Sequence, residues 1–94
     1  MIRFSVLYPT SDGTTFDHDY FRSTHVPLCE ESWGISGSVV DEGVSGPYTA
    51  MVHFSFASQD AMNAAMAMPG TANVLADMAN YTTITPVMQV SETR

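Results

Sequence analysis

Ninety-four residues, 45% of them hydrophobic, suit one small globular domain spanning 1–94 and exclude a disordered chain. Ten acids against three arginines and no lysine give a net charge of −7, which repels phosphate backbones and anionic lipid surfaces, so neither nucleic acid nor membrane is expected as a partner. No apolar run approaches the ~18 residues of a membrane span, Met1–Phe4 lacks the opening of a signal peptide, and the single Cys29 has no internal partner, so a reducing, cytoplasmic setting is expected.

The first element is a strand. Ile2, Phe4, Val6 and Tyr8 alternate with Arg3, Ser5 and Leu7, and Pro9 followed by Thr10-Ser11-Asp12-Gly13 ends it in a turn. Asp17 reads as the N-cap of a helix that starts near His18, with Asp19 favourable in its first turn. Pro27 removes a donor and crowds the carbonyl four residues back, which predicts a kink or restart near His25. The helix then runs through Cys29 to Trp33, and Gly34 stops it.

A weaker strand is expected over Ser36–Asp41, a loop over Gly43–Pro47, and the best strand of the chain over Tyr48–Phe56. Ala50, Val52, Phe54 and Phe56 line one side of that strand, and Thr49, Met51, His53 and Ser55 the other. Ser58 caps a second helix carrying Ala61, Met62, Ala65 and Met66, whose methionines read as core filling. Pro69-Gly70 breaks it, a short helical turn with Val74, Leu75 and Met78 follows, and Asn80–Thr83 is loop. The last strand is expected over Ile84–Ser91, where Pro86 points to an edge position or a bulge.

The order β-α-β-β-α-β is that of an α+β ferredoxin-like domain: a four-stranded antiparallel sheet with its helices on one face. The first strand is expected between the third and the second. The other sheet face is mixed rather than charged, with Leu7, Met51 and Val87 beside Arg3, His53 and small hydroxyls. A lightly charged sheet face suggests burial against a second sheet, hence a homodimer.

Three stretches together resemble the EthD family of the dimeric α+β barrel superfamily. They are Phe16-Asp17-His18-Asp19-Tyr20-Phe21 with Thr24-His25-Val26-Pro27-Leu28, then Tyr48-Thr49-Ala50-Met51-Val52-His53-Phe54, then Asn80-Tyr81-Thr82 leading to Pro86-Val87-Met88-Gln89-Val90-Ser91. The resemblance runs from residue 2 to about 92, and the chain departs from it at Pro69-Gly70. It implies two sheets closing a dimeric barrel. It also implies a superfamily range of cofactor-free oxygenases, cyclases, isomerases, decarboxylating enzymes and haem-binding proteins.

His25 is the leading catalytic candidate, since an imidazole exchanges protons near neutral pH. Pro27 would aim it between helix and sheet; alternatively it bonds a carbonyl freed at the kink. Tyr20 lies about 140° round an ideal helix from His25, so the two need not face each other; it is a ligand-binding candidate or a core aromatic. Trp33 and Tyr81, at the ends of elements, line a pocket mouth or are plain core. His53 would lie in the barrel interior the resemblance implies, bonded to Ser5 or Gln89, as a ligand contact or a structural one. His25 and Cys29 stand i, i+4, but too few further ligands exist for a metal site, and no metal or cofactor is expected. His25 is the residue that would ligate haem if haem were bound.

The expected function is that of a small-molecule enzyme on a hydrophobic or aromatic compound held between helices and sheet. By resemblance its type is cofactor-independent oxygenase, isomerase or cyclase. The alternative is a non-catalytic binding or accessory protein for such a ligand.

Overall fold

Alternation of large apolar and small polar side chains sets the centre of the sheet. The computed structural model describes residues 1–94. In it, β1 (Ile2–Pro9) and β3 (Tyr48–Phe56) pair antiparallel, with Phe4 opposite Phe54, Val6 opposite Val52 and Tyr8 opposite Ala50. All six of these side chains are buried on one face. Ser5 opposite His53 and Leu7 opposite Met51 fall on the other.

The sheet order is β2-β3-β1-β4, so the first strand lies between the third and the fourth, not between the third and the second. Each helical crossover skips one strand position, and the strand of the opposite unit fills it. The hairpin meanwhile keeps the second and third strands adjacent.

Two strand boundaries differ from those expected. β2 covers Val39–Glu42 rather than starting at Ser36, because Gly37 turns the chain at φ 76° and the ladder opens only with Val39 opposite His53. Gly43 closes the hairpin. Its amide donates to the Thr49 carbonyl at 2.8 Å, and a Cβ there would collide with the Tyr48 carbonyl. β4 covers Val87–Glu92 rather than starting at Ile84. The Ile84 amide is taken by the Thr82 hydroxyl at 2.9 Å, Pro86 has no N–H to give, and the ladder with β1 opens at Val87 opposite Leu7. Ile84 instead buries in the core, and β4 is an edge strand.

Asp17 Oδ1 accepts from the Tyr20 amide at 3.0 Å and caps α1 (His18–Tyr20). The kink or restart expected near His25 takes a specific form: a π-helical turn over Phe21–His25, then α2 (Val26–Trp33) with Pro27 in its first turn. The Val26 amide reaches back five residues to the Phe21 carbonyl, and this wider turn relieves the crowding an approaching proline imposes on a regular helix. Gly34, at φ 66°, supplies the left-handed stop. Ser58 Oγ caps α3 (Gln59–Met66), and Pro69 opens α4 (Gly70–Asp77), which runs into a 3₁₀ turn over Met78–Asn80.

Phe21, Val26, Cys29 and Trp33 from the first helical stretch, with Met62, Ala65 and Val74 from α3 and α4, cover the apolar sheet face. The opposite face is covered by nothing in this chain. No helix is long and apolar enough to cross a membrane.

Candidate functional site

The π-helical turn determines which side chains meet. In a turn closed by i→i+5 bonds, residues five apart come round to the same side, where a regular helix would set them 140° apart. Tyr20 and His25, which an ideal helix need not bring face to face, therefore share a side, and both reach one carboxylate from the end of α4. The Tyr20 hydroxyl donates to Asp77 Oδ1 at 2.7 Å, and His25 Nδ1 donates to Asp77 Oδ2 at 2.9 Å. Asn80 Nδ2 donates to Asp77 Oδ1 at 3.0 Å.

With Nδ1–H committed to Asp77, the lone pair of His25 stands at Nε2. It accepts from the Tyr81 hydroxyl at 3.2 Å, which in turn accepts from the Tyr8 hydroxyl at 2.7 Å. Cys29 Sγ lies 3.6 Å from Nε2. The result is one hydrogen-bonded chain, Asp77–His25–Tyr81–Tyr8, joining a helix end to the far end of the inner strand β1. Phe21 stacks near the imidazole at 5.8 Å between ring centroids. His25 does not bond a carbonyl freed at the kink.

Electrostatics suit a neutral base. Burial pulls the His25 pKa down, and the Asp77 hydrogen bond and charge oppose this without reversing it. Asp77 is raised by burial, but donors from Tyr20, Asn80 and His25 outweigh that, and it titrates below the usual carboxylate range. Burial pushes the Tyr8 hydroxyl and the Cys29 thiol each up to about 12, and drives Tyr81 higher still, so all three hold their protons at neutral pH. A thiol so protonated is a poor nucleophile.

No trio of His, Cys, Asp or Glu stands close enough to hold a metal ion. Haem ligation by His25 would need a free imidazole nitrogen facing open space. Both nitrogens are engaged, so the residues do not fit that group.

Three cavities mark the surface, and none is lined by His25. One of about 640 Å³ is walled by Phe16, Asp17, Glu42, Asn80 and Tyr81, and Tyr81 separates it from His25. A second, of about 470 Å³, lies on the uncovered sheet face.

The sequence-predicted residues thus divide. Tyr20, His25 and Tyr81 converge. Trp33 packs edge-on to Phe54, with ring centroids 5.0 Å apart, donates Nε1–H to Thr71 Oγ1 at 2.9 Å, and lines none of the cavities. His53 lies on the far side of the sheet, with Ser5 Oγ at 2.7 Å and Asp41 Oδ2 at 3.3 Å, while Gln89 turns to Ser91 instead. Asp77, Asn80 and Tyr8 escaped notice. Asp77 stands four residues before Tyr81, a helical spacing that ties the acid to a residue already singled out.

Neither a protein-family model nor a curated protein matches the chain. Among solved structures, an EthD-like protein from Ralstonia eutropha JMP134 is 36% identical, with a TM-score of 0.89 over 97% of this chain and 89% of that one. SnoaB, a cofactor-independent oxygenase from Streptomyces nogalater, shares the fold at 11% identity, with a TM-score of 0.74 over 99% of this chain and 92% of that one. A dimeric ferredoxin-like protein of unknown function from Thermobifida fusca YX does so at 16% identity, with a TM-score of 0.67 over 98% of this chain and 90% of that one.

Proposed function

We propose that this chain, which belongs to the EthD family, is a homodimeric enzyme that removes a proton from a small hydrophobic or aromatic molecule without a cofactor. Oxygenation, isomerisation and cyclisation of the cofactor-independent type share that first step, loss of a proton from an activated C–H or O–H. The observation that carries the reading is the imidazole of His25, held at Nδ1 by Asp77 at 2.9 Å with its Nε2 lone pair turned to the Tyr81 hydroxyl.

The proton moves along bonds already made. Tyr81 passes its hydroxyl proton to Nε2 as it takes one from the ligand, and Asp77 stabilises the imidazolium that forms. Tyr8 donates to the Tyr81 oxygen as charge develops on it. The burial that lowers His25 keeps it unprotonated and ready to act as a base. Tyr20 acts by fixing Asp77, and Tyr81 is the residue nearest the ligand. SnoaB supports a cofactor-free reaction and the Thermobifida protein a dimer, each as a relative in fold.

A second reading, a non-catalytic carrier of such a ligand, is favoured by one fact: His25 is only 4% exposed and opens onto none of the cavities. A panel of phenols and cyclic β-diketones, followed for solvent deuterium incorporation and oxygen uptake, separates the two. Turnover lost in His25→Ala, with circular dichroism and sedimentation unchanged, supports the enzyme. Binding without exchange in the native protein supports the carrier.

A further inference from the structure

Two side chains connect the 640 Å³ cavity on the helical side to the Asp77–His25 pair. Of the residues that wall this cavity, only Asn80 and Tyr81 hydrogen-bond through their side chains to that pair. The Tyr81 hydroxyl is already taken up between His25 and Tyr8. Asn80 differs. It is exposed, and only one arm of its amide is in use.

Chemistry fixes which arm that is. An ionised carboxylate only accepts, so the amide turns its nitrogen to Asp77. Nδ2 donates to Asp77 Oδ1 at 3.0 Å and stands 3.5 Å from the Tyr20 hydroxyl oxygen. The 3₁₀ turn over Met78–Asn80 sets this up, because residues three apart eclipse one another in such a turn and Asn80 follows Asp77 by three. Oδ1 is the other arm of the same planar group, and no donor of the chain reaches it. The backbone donors around it are spent. The amides of Asp17 and Thr83 go to the carbonyls of Tyr81 and Thr15, and the Thr15 amide goes to Thr83 Oγ1. The wall therefore offers acceptors, and the carboxylates of Asp17 and Glu42 on it repel an anion.

We infer that Asn80 is the residue that positions the acid and selects the ligand: its inward arm holds Asp77 for His25, and its outward arm accepts from a hydroxyl or N–H of an uncharged aromatic ligand. Asn80's role rests on the enzyme reading at one point, that the ligand reaches Tyr81 from this cavity. A ring held at Asn80 lies beside Tyr81, the next residue of the chain. A ring without a donor has nothing to hold it there. The inward arm is read at His25. That imidazole is faced by Asp77 from the end of α4, by Tyr81 with Tyr8 of β1 behind it, and by Cys29 of its own helical stretch. Of these only Asp77 carries charge at neutral pH.

Resorcinol is the probe, with its dimethyl ether as the counterpart lacking donors and meta-hydroxybenzoate as the charged one. Titrated into the full-length protein and followed by NMR, resorcinol is expected to shift the Asn80 side-chain amide and the Tyr81 backbone amide, and to bind more tightly than meta-hydroxybenzoate. The ratio of resorcinol to ether affinity is expected to fall roughly five-fold in Asn80→Ala, the worth of one neutral hydrogen bond. Asn80→Asp keeps an outward acceptor and should keep the ratio. It also sets a second carboxylate beside Asp77, so His25 should titrate higher than in the native protein, which a purely structural role would not produce. An unchanged ratio in Asn80→Ala overturns the proposal. So do an unmoved His25 in Asn80→Asp, equal binding of meta-hydroxybenzoate, and resorcinol that fails to bind or shifts residues elsewhere. These readouts need no turnover. A native protein that meets them but exchanges no deuterium into any ligand supports the role of Asn80 and overturns the enzyme reading alone. Turnover whose kcat and KM are the same in Asn80→Ala overturns the role of Asn80 alone.

Discussion

An imidazole keeps one tautomer only while its fixed nitrogen has an acceptor. Asp77→Asn removes the carboxylate that holds His25 Nδ1–H at 2.9 Å and also removes the charge that works against burial. His25 in that variant is therefore expected to titrate lower than in the native protein, by NMR of the ring protons. A rise would show that the carboxylate is not its partner. The native shift has its own consequence for stability. Between the ordinary value of 6.5 and the lower folded one, the unfolded chain binds a proton that the folded chain refuses. Thermal stability is thus expected to fall as pH drops through that window and to be level above it, and His25→Gln should flatten the slope. Asp77 is also shifted downward, so its contribution is complete above its ordinary 3.8 and lost only as the pH falls below that. Tyr81→Phe leaves the buried Tyr8 hydroxyl and His25 Nε2 without their shared partner, and urea denaturation should report a loss of about 1–3 kcal/mol.

The element that assembles the cluster is the π-helical turn, and its role is open to a one-residue test. Deleting the exposed Ser23 removes the extra residue of the wide turn and leaves Tyr20 and His25 four apart in a regular helix, about 40° round and still on one face. Ellipticity at 222 nm should hold. The Tyr20 phenol, raised by its bond to Asp77, should stay raised in an ultraviolet titration. A Tyr20 that returns toward the ordinary tyrosine range would mean that the cluster needs the wide turn itself. This turn marks the boundary of what could be read from residues alone. Period-two alternation made β1 and β3 legible, and Asp17, Ser58 and Gly34 announced their caps. Pro27 announced a disturbance but not its form, because a wide turn and a kink leave the same trace in sequence. Asp77 was illegible for a different reason: 52 positions separate it from His25, and an acid ending a short helix reads as solvated surface. The start of β4 was lost to the Thr82 side chain, which takes an amide that periodicity assigns to the ladder.

The whole molecule has one face too many. Its helices cover one side of the sheet, and on the other Val87, Leu7 and Met51 form a row across three strands, with Ser5, His53 and Arg3 beyond it. Such a face is divided: an apolar band fit to seal against a copy of itself, and a polar end fit to enclose a chamber. Burial of the band is the term that would drive pairing, at roughly 25 cal/mol per Å² of apolar area removed from water. A charge in the middle of the row opposes it directly. Leu7→Glu is expected to leave the folded subunit intact, because Leu7 points away from the core, and to shift sedimentation equilibrium at micromolar concentration from dimer to monomer. Arg22→Gln, on the helical side, should not. A native protein that sediments as a monomer would mean that water, not a twin, covers this face. A Leu7→Glu variant that stays dimeric would put the contact elsewhere, with the exposed Met88 and Val90 of the β4 edge as the next surface to charge.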